Sequence, residues 1–407
     1  MKVVHINTNT SCGGAAIAAK RHCQAMLASG IDAKLIAYRG ISDENAILYP
    51  YNRIPFLQHI KDSIAYRIAT GIVHNSLWDL ESNNFDITEC EEVKEADIVY
   101  VHWVSGYLGT KSIKSLLALG KPTVWYMHDM APITGGCHHS FNCRGYENEC
   151  KDCPELKCCK FLAKKQLARH MEWNSFENLI GVAPSQWLTN CIKNSSVFRN
   201  HQIYCIPNVV DTSVFKPLNK NEVRKKLQLP QDKKLIMFAS MPAHDRYKGS
   251  KYLVQILEFV AANYDYEFLI AGSPNLELFS PQTKAKIHSV GQIYDEMQMA
   301  EVYNAADVYL ITSIAENFPN VIVECMACGV PAVGFATGGI KDQIEHKNNG
   351  WIVEPKQVDG AIEGLTWVLE NPEYDVLCNN ARNYVKCNCS FEKVLEIHKP
   401  IFDFVSH

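Results

Sequence analysis

Short apolar runs punctuate the chain, and helix-like patterns fill the intervals between them. The first series is "KVVHIN" (2–7), "ADIVYVHWV" (96–104), "PTVWYMH" (122–128), "LIGVAPS" (179–185) and "QIYCIPN" (202–208). A second series follows Asp211: "KKLIMFAS" (233–240), "YEFLIAG" (266–272), "DVYLITS" (307–313), "PAVGFA" (331–336) and "GWIVEP" (350–355). Runs this continuous predict strands buried on both faces, and their alternation with helices predicts parallel sheets. Two series predict two doubly wound α/β domains, joined through the polar, proline-bearing stretch 209–234. The length agrees, since 407 residues exceed what one core usually holds.

Open parallel sheets bind ligands beyond the carboxyl ends of their strands, and two such sheets facing each other enclose a cleft. The residues just after the strands are therefore the ones to inspect: Gly13, Gly14, His102, His128, Asn208, Arg246, Lys248, Gly272, Glu316, Gly338 and Gly339. One stretch poses a question of its own. In "SIAENFPNVIVECMACGVPAV", Glu316 and Glu324 stand eight residues apart, one before and one inside an apolar run. A helix through both would set them on different faces. With a strand ending at Ser313 and a helix running from near Asn320 to a stop at Gly329, Glu316 falls in the loop and Glu324 about one turn into the helix. A helix start offers backbone N–H groups and the positive end of a dipole to a phosphate or polyhydroxyl ligand. Carboxylates accept hydrogen bonds from vicinal hydroxyls. Taken alone, the pair reads more readily as a solvated loop residue and a polar helix position.

Composition removes some function classes. Apolar residues make up 47% and charged residues 21%, which is ordinary globular usage, and a net charge of −4 does not suit a nucleic-acid binder. No apolar stretch approaches the roughly 18 residues that span a membrane. "MKVVHINTNTSCGG" enters a strand pattern directly, with no h-region, so a cytoplasmic protein is expected. No Gly-x-Gly-x-x-Gly turn follows the first strand, which excludes a dinucleotide-binding dehydrogenase. No Asp-x-Asp pair follows a strand of the second half, so no catalytic divalent ion is expected.

Sixteen cysteines in a reducing compartment are expected to be thiols or metal ligands. Six fall within "GGCHHSFNCRGYENECKDCPELKCC" (135–159). Cys137, Cys143, Cys150 and Cys153 have spacings that allow a structural zinc site, with His138 and His139 as spare ligands; disulfides and reduced thiols are the other readings. The following "KCCKFLAKKQLARHMEW" (157–173) is a basic amphipathic helix pattern, read as a solvated face or as a surface that docks on an anionic membrane. His102 stands beside Trp103, which is expected to be core.

"ENFPNVIVECMACGVPAV" resembles the Glu-x7-Glu signature of the family 4 retaining glycosyltransferases, of GT-B fold. Further pieces follow in that family's order: "GGAAIAA", "HD" at 128–129, "APSQWL", "IPNVVDTSVFKP", "RYKG" at 246–249 and "GGIKDQIEHKNNGWIV". Together they cover nearly the whole chain. The resemblance implies an acceptor-binding domain over 1–212, a nucleotide-sugar-binding domain over 213–389, and a C-terminal helix at 390–407 returning to the first domain. It implies that Glu324 holds the ribose and Glu316 the transferred sugar, with backbone amides of Asn317, Phe318 and Asn320 lining sugar and diphosphate. Lys248 and Arg246 would carry the charge of the departing diphosphate, His128 would meet the donor sugar, and Gly13, Gly14, Gly338 and Gly339 would approach the donor. The family's usual glycine is Pro319 here, its usual arginine before the lysine is Pro242, and the glycine after Asn208 is Val209.

The implied activity is metal-independent transfer of a hexosyl-type sugar from a UDP- or GDP-sugar to a glycan or lipid-linked acceptor in bacterial surface polysaccharide synthesis. A sugar-nucleotide 2-epimerase of the same fold would not need the paired glutamates. A non-catalytic sugar-binding module would not keep His128 and Lys248.

Overall fold

The computed structural model describes residues 1–49, 78–81, 85–239, 247–272 and 275–403. Two compact units emerge. One comprises Met1–Val209 with Val394–His407, the other Val210–Lys393.

Among the described residues the first unit has seven strands: β1 Lys2–Asn9, β2 Asp32–Arg39, β3 Ala46–Leu48, β4 Ile98–Val101, β5 Thr123–Tyr126, β6 Leu179–Ala183 and β7 Gln202–Cys205. They pair in the order β3-β2-β1-β4-β5-β6-β7, every pair parallel. The strand order reverses between β1 and β4. At that point the Thr8 amide donates to the Trp103 carbonyl (2.8 Å), carrying the pairing past the end of β4. One core cluster joins Val4, Ile6, Val99, Val101 and Trp125 to the covering helices through Ile113, Leu167, Leu188 and Ile192.

The second unit repeats the plan with six strands: β8 Lys234–Ala239, β9 Tyr266–Ala271, β10 Ile287–Ser289, β11 Val308–Ile311, β12 Ala332–Phe335 and β13 Gly350–Val353. Their order is β10-β9-β8-β11-β12-β13, again parallel, with its reversal between β8 and β11. Alternate residues of β8 go to opposite faces. Leu235 and Met237 join one core with Ile322 and Met326, while Ile236 and Phe238 join another with Ile256 and Leu365. A sheet buried on both faces has no polar side, which is why its strands read as unbroken apolar runs.

The helix expected near Asn320 runs Asn320–Ala327. Its end is fixed by Gly329, at φ 79°, where the amides of Gly329 and Val330 donate back to Met326 (2.9 Å) and Cys325 (3.0 Å). This left-handed turn satisfies carbonyls that a helix end would otherwise strand.

Candidate functional site

In the second unit, the two strands that flank the order reversal deliver opposite charges. The loop after β11 is sewn to the segment Tyr247–Gly249, which leads into the helix Ser250–Asn263. The Ile314 amide donates to the Tyr247 carbonyl at 2.7 Å, and the Thr312 hydroxyl donates to the Lys248 carbonyl at 3.1 Å. Gly249 permits this approach. Its φ is 68°, and a Cβ there would lie 1.9 Å from the Thr312 carbonyl oxygen. Gly249→Ala is therefore expected to destabilise the protein by at least about 2 kcal/mol, in urea unfolding, and to depress turnover by separating the two loops.

The stitching places Lys248 Nζ 2.6 Å from Glu316 Oε2. The lysine is half-exposed and the glutamate largely covered. Glu324, on the helix Asn320–Ala327, is buried, and its Oε2 accepts from the Tyr303 hydroxyl at 2.7 Å. Burial, then the Glu324 and Tyr309 charges, push the Tyr303 phenol well above its ordinary value, so it remains a donor. The neighbouring Tyr309 phenol is also raised, by burial first and then by Cys325, Glu324 and Glu316. Both carboxylates thus act on one side chain within β11.

The remaining second-unit residues surround this pair. Asn317 and Phe318 are buried, and the Phe318 side chain belongs to the core, so only its backbone faces the loop. Asn320 opens the helix with Pro319 before it and no side-chain cap. The Pro319 carbonyl accepts from Gln343 Nε2 at 3.2 Å, anchoring the loop where the family's glycine is missing. Gly338, at φ 54°, and Gly339 lie between β12 and the short helix Ile340–Gln343. Arg246 lies outside the described residues.

In the first unit, Gly13 (φ 94°) and Gly14 start the helix Gly14–Ala28 directly after β1, and both are exposed. Asn9 Oδ1 shapes this turn by accepting from the amides of Ser11 (2.9 Å) and Cys12 (3.1 Å). His102 follows β4 and His128 follows β5, and their ring nitrogens meet at 3.0 Å. A small cavity is lined by these histidines with Asp79, Glu81, Trp103 and Asp129.

Trp103 corrects an expectation. It is half-buried rather than core, because its indole N–H donates to Asp129 Oδ2 at 2.9 Å. Asp129 also contacts His138 Nδ1, whose Nε2 lies 3.1 Å from Asp79. Burial works against the charged form of both partners, yet His138 holds Asp129 below the usual carboxylate range. Asp129 and Asp79 hold His138 well above the usual imidazole value. The stabilisation from protonated His138 is complete below about pH 6.5 and is lost as pH rises through the raised value. The melting temperature of the native protein should therefore exceed that of His138→Gln most at pH 6, and the gap should narrow as the pH is raised into the alkaline range. A gap widening with pH would contradict the pairing.

Cys137 and Cys153 meet at 3.9 Å between sulfurs, while Cys143 and Cys150 both lie beside Gly145. Among the described residues, however, no three His, Cys, Asp or Glu side chains converge so as to hold a metal ion. Cys137 and Cys153 pack with Trp78, Leu156 and Ala163 in a core of the insert's own. Beside them is a cavity of about 880 Å³, lined among others by Arg144, Tyr146, Lys151 and Arg199. It shares no residue with the cavity at His128. The basic pattern after the insert forms the helix Phe161–His170, with Phe161, Lys164 and Lys165 exposed and Lys164 paired with Glu149 at 2.9 Å. Among the described residues no helix is long and apolar enough to cross a membrane.

Sequence reasoning missed Tyr303, which touches Glu324, and His5, which touches His102 with Met26 behind it. A tyrosine on an amphipathic helix gives no local sign that its hydroxyl braces a glutamate 21 positions on.

Comparison with known proteins gives one matching family model and one shared fold. The sequence profile of Glycosyl transferases group 1 matches residues 219–386. An uncharacterized glycosyltransferase of Haemophilus influenzae is 29% identical over 161 residues, covering 38% of this chain and 45% of that protein. The N-acetyl-alpha-D-glucosaminyl L-malate synthase of Bacillus anthracis is 23% identical over 241 residues, covering 56% and 62%. The chain spans about half the length of the first curated relatives it matches. Among solved structures, Anabaena Alr3699/HepE in complex with UDP and glucose superposes with a TM-score of 0.65 at 16% identity, covering 100% of this chain and 99% of its own. The sucrose-phosphate synthase of Thermosynechococcus elongatus gives a TM-score of 0.65 at 18% identity, covering 100% and 99%.

Proposed function

We propose that this chain, whose residues 219–386 match the group 1 glycosyl transferase profile and whose fold is GT-B, moves a sugar from a nucleotide-sugar donor to a glycan or lipid-linked acceptor with retention of configuration. The observation that carries this reading is the joining of Lys248 and Glu316 at 2.6 Å where the second sheet reverses its strand order, beside a Glu324 already braced by Tyr303.

The chemistry follows from those groups. Breaking the bond between sugar and diphosphate builds negative charge on the leaving oxygen. A cation held in a loop that cannot relax away stabilises that charge more than it stabilises the ground state. Lys248 supplies it, together with the dipole of the helix entered at Asn320. Glu316 accepts from hydroxyls of the transferred sugar, and Glu324 from the ribose. Backbone amides of Asn317, Phe318 and Asn320, with Gly338 and Gly339, line the sugar and diphosphate. Arg246 is assigned a second cationic role, and Gly13 and Gly14 give the donor a close backbone approach.

His128 meets a sugar hydroxyl. Burial holds its imidazole down at about 4, with Asp129 opposing, so near neutral pH it is uncharged and acts through hydrogen bonds. The relatives include a putative colanic acid biosynthesis glycosyl transferase of Escherichia coli, which suits a role in surface polysaccharide assembly. Exposed Phe161 with Lys160 and Lys165 suits contact with the membrane that carries lipid-linked acceptors. The deciding experiment is a screen of UDP-, GDP- and ADP-sugars for hydrolysis and transfer. Turnover of at least one, lost on removal of the Lys248 charge, supports the reading. Turnover of none, with binding of none, refutes it.

A further inference from the structure

Behind His128 the first unit holds a file of buried side chains in hydrogen-bond contact. Met26 Sδ lies 3.3 Å from His5 Nε2, His5 Nδ1 lies 2.9 Å from His102 Nε2, and His102 Nδ1 lies 3.0 Å from His128 Nε2. The three rings stack in succession, with centroids 5.2 Å apart at both steps. His5, His102 and Met26 are at most 2% exposed. They come from β1, the end of β4 and the helix Gly14–Ala28, so three rigid elements fix their spacing.

Such a file has a direction. Burial holds His5 down at about 3 and His102 well below the usual imidazole value, so near neutral pH each ring is uncharged and carries one N–H. Each nitrogen-to-nitrogen contact then needs one hydrogen and has room for only one. The closed end decides which nitrogen carries it. A thioether sulfur accepts weakly and has no proton to give, so the hydrogen between Met26 and His5 sits on His5 Nε2. His5 Nδ1 is consequently bare and accepts from His102 Nε2–H. His102 Nδ1 is bare in turn and accepts from His128 Nε2–H. The opposite direction would press the bare Nε2 of His5 against a second acceptor in a buried site, which is the costlier arrangement.

We propose that Met26, His5 and His102 are positioning residues that fix His128 as its Nε2–H tautomer and so make His128 Nδ1 a hydrogen-bond acceptor. The inference deepens the proposed function and, for the identity of the ligand, rests on it. An acceptor at Nδ1 selects a partner that can donate. The sugar group met by His128 is then a hydroxyl, as in a neutral hexose or an N-acetylhexosamine, and a uronic acid carboxylate at that position is rejected.

The tautomer can be read without substrate. In the full-length protein labelled with ¹⁵N-histidine, assigned by single His→Gln variants, His128 is expected to show a protonated Nε2 and an unprotonated Nδ1. A protonated Nδ1 would overturn the proposal, whether or not sugar transfer is observed. Conversely, a failed transfer screen leaves this measurement standing. Met26→Leu conserves volume and removes the sulfur acceptor; it should leave the melting temperature within a few degrees while His128 becomes a mixture of tautomers. An unchanged His128 spectrum in that variant would also sink the relay. His102→Phe should lower kcat/KM for the donor about 10- to 100-fold and at the same time abolish the single Nε2–H signature of His128, as expected when the tautomer that meets the sugar hydroxyl is disturbed. A lowered kcat/KM with the His128 signature unchanged would assign His102 to packing alone.

Discussion

Lys248→Met lowers kcat for donor turnover by about 10²- to 10³-fold, with a smaller rise in the donor KM, if the amine meets charge that develops only as the sugar departs. Methionine keeps the length and apolar stem of the side chain and removes the cation, so steady-state kinetics read the charge and not the packing. The loop geometry should survive, because it depends on the backbone of residue 248 and not on its amine: the Thr312 hydroxyl bonds to the Lys248 carbonyl. Lys248→Arg restores only part of the rate, since a planar fork does not reproduce a compact ammonium. A kcat within about threefold of the native protein for Lys248→Met would move the leaving-group role to another residue.

Glu324→Ala cuts donor turnover by about two or more orders of magnitude through lost hydrogen bonds to the nucleotide sugar. It also leaves the buried Tyr303 hydroxyl without its acceptor, a stability cost of about 1–3 kcal/mol. The two effects separate with a second variant. Tyr303→Phe removes the brace but keeps the carboxylate, so it should cost about tenfold or less in turnover. Melting curves for both proteins establish that the loss in Glu324→Ala belongs to the site. Near-native turnover by folded Glu324→Ala would refute the role given to this residue.

The fold was legible where the chain is apolar on both faces, and illegible elsewhere. β8, β9 and β11 to β13 lie within the apolar runs from which strands were expected, because burial on both sides leaves no polar position to interrupt them. β2, Asp32–Arg39, escaped because Asp32, Lys34 and Arg39 break its run. β3 and β10 are three-residue edge strands, too short to impose a pattern. At the candidate site, Glu316, Glu324, Lys248 and His128 could be picked out because each falls just past a strand end or inside a recognisable frame. What surrounds them could not. Tyr303 reaches Glu324 across two helices, and His5 reaches His102 across 97 residues. In the insert, cysteine spacing alone did not reveal that two of the thiols pack against Trp78 and Leu156.

The contact between Lys248 and Glu316 carries one more implication. Each group already satisfies the other at rest, so neither waits as an isolated charge beside water. With its lysine half-exposed the pair is worth only about 1 kcal/mol, and an arriving ligand can part it cheaply. Bare phosphate would engage the amine and abandon the acid; a lone sugar would do the reverse. Only a molecule carrying an anionic and a hydroxylated end on one frame compensates both halves, which turns a modest surface contact into a two-key lock for an intact donor.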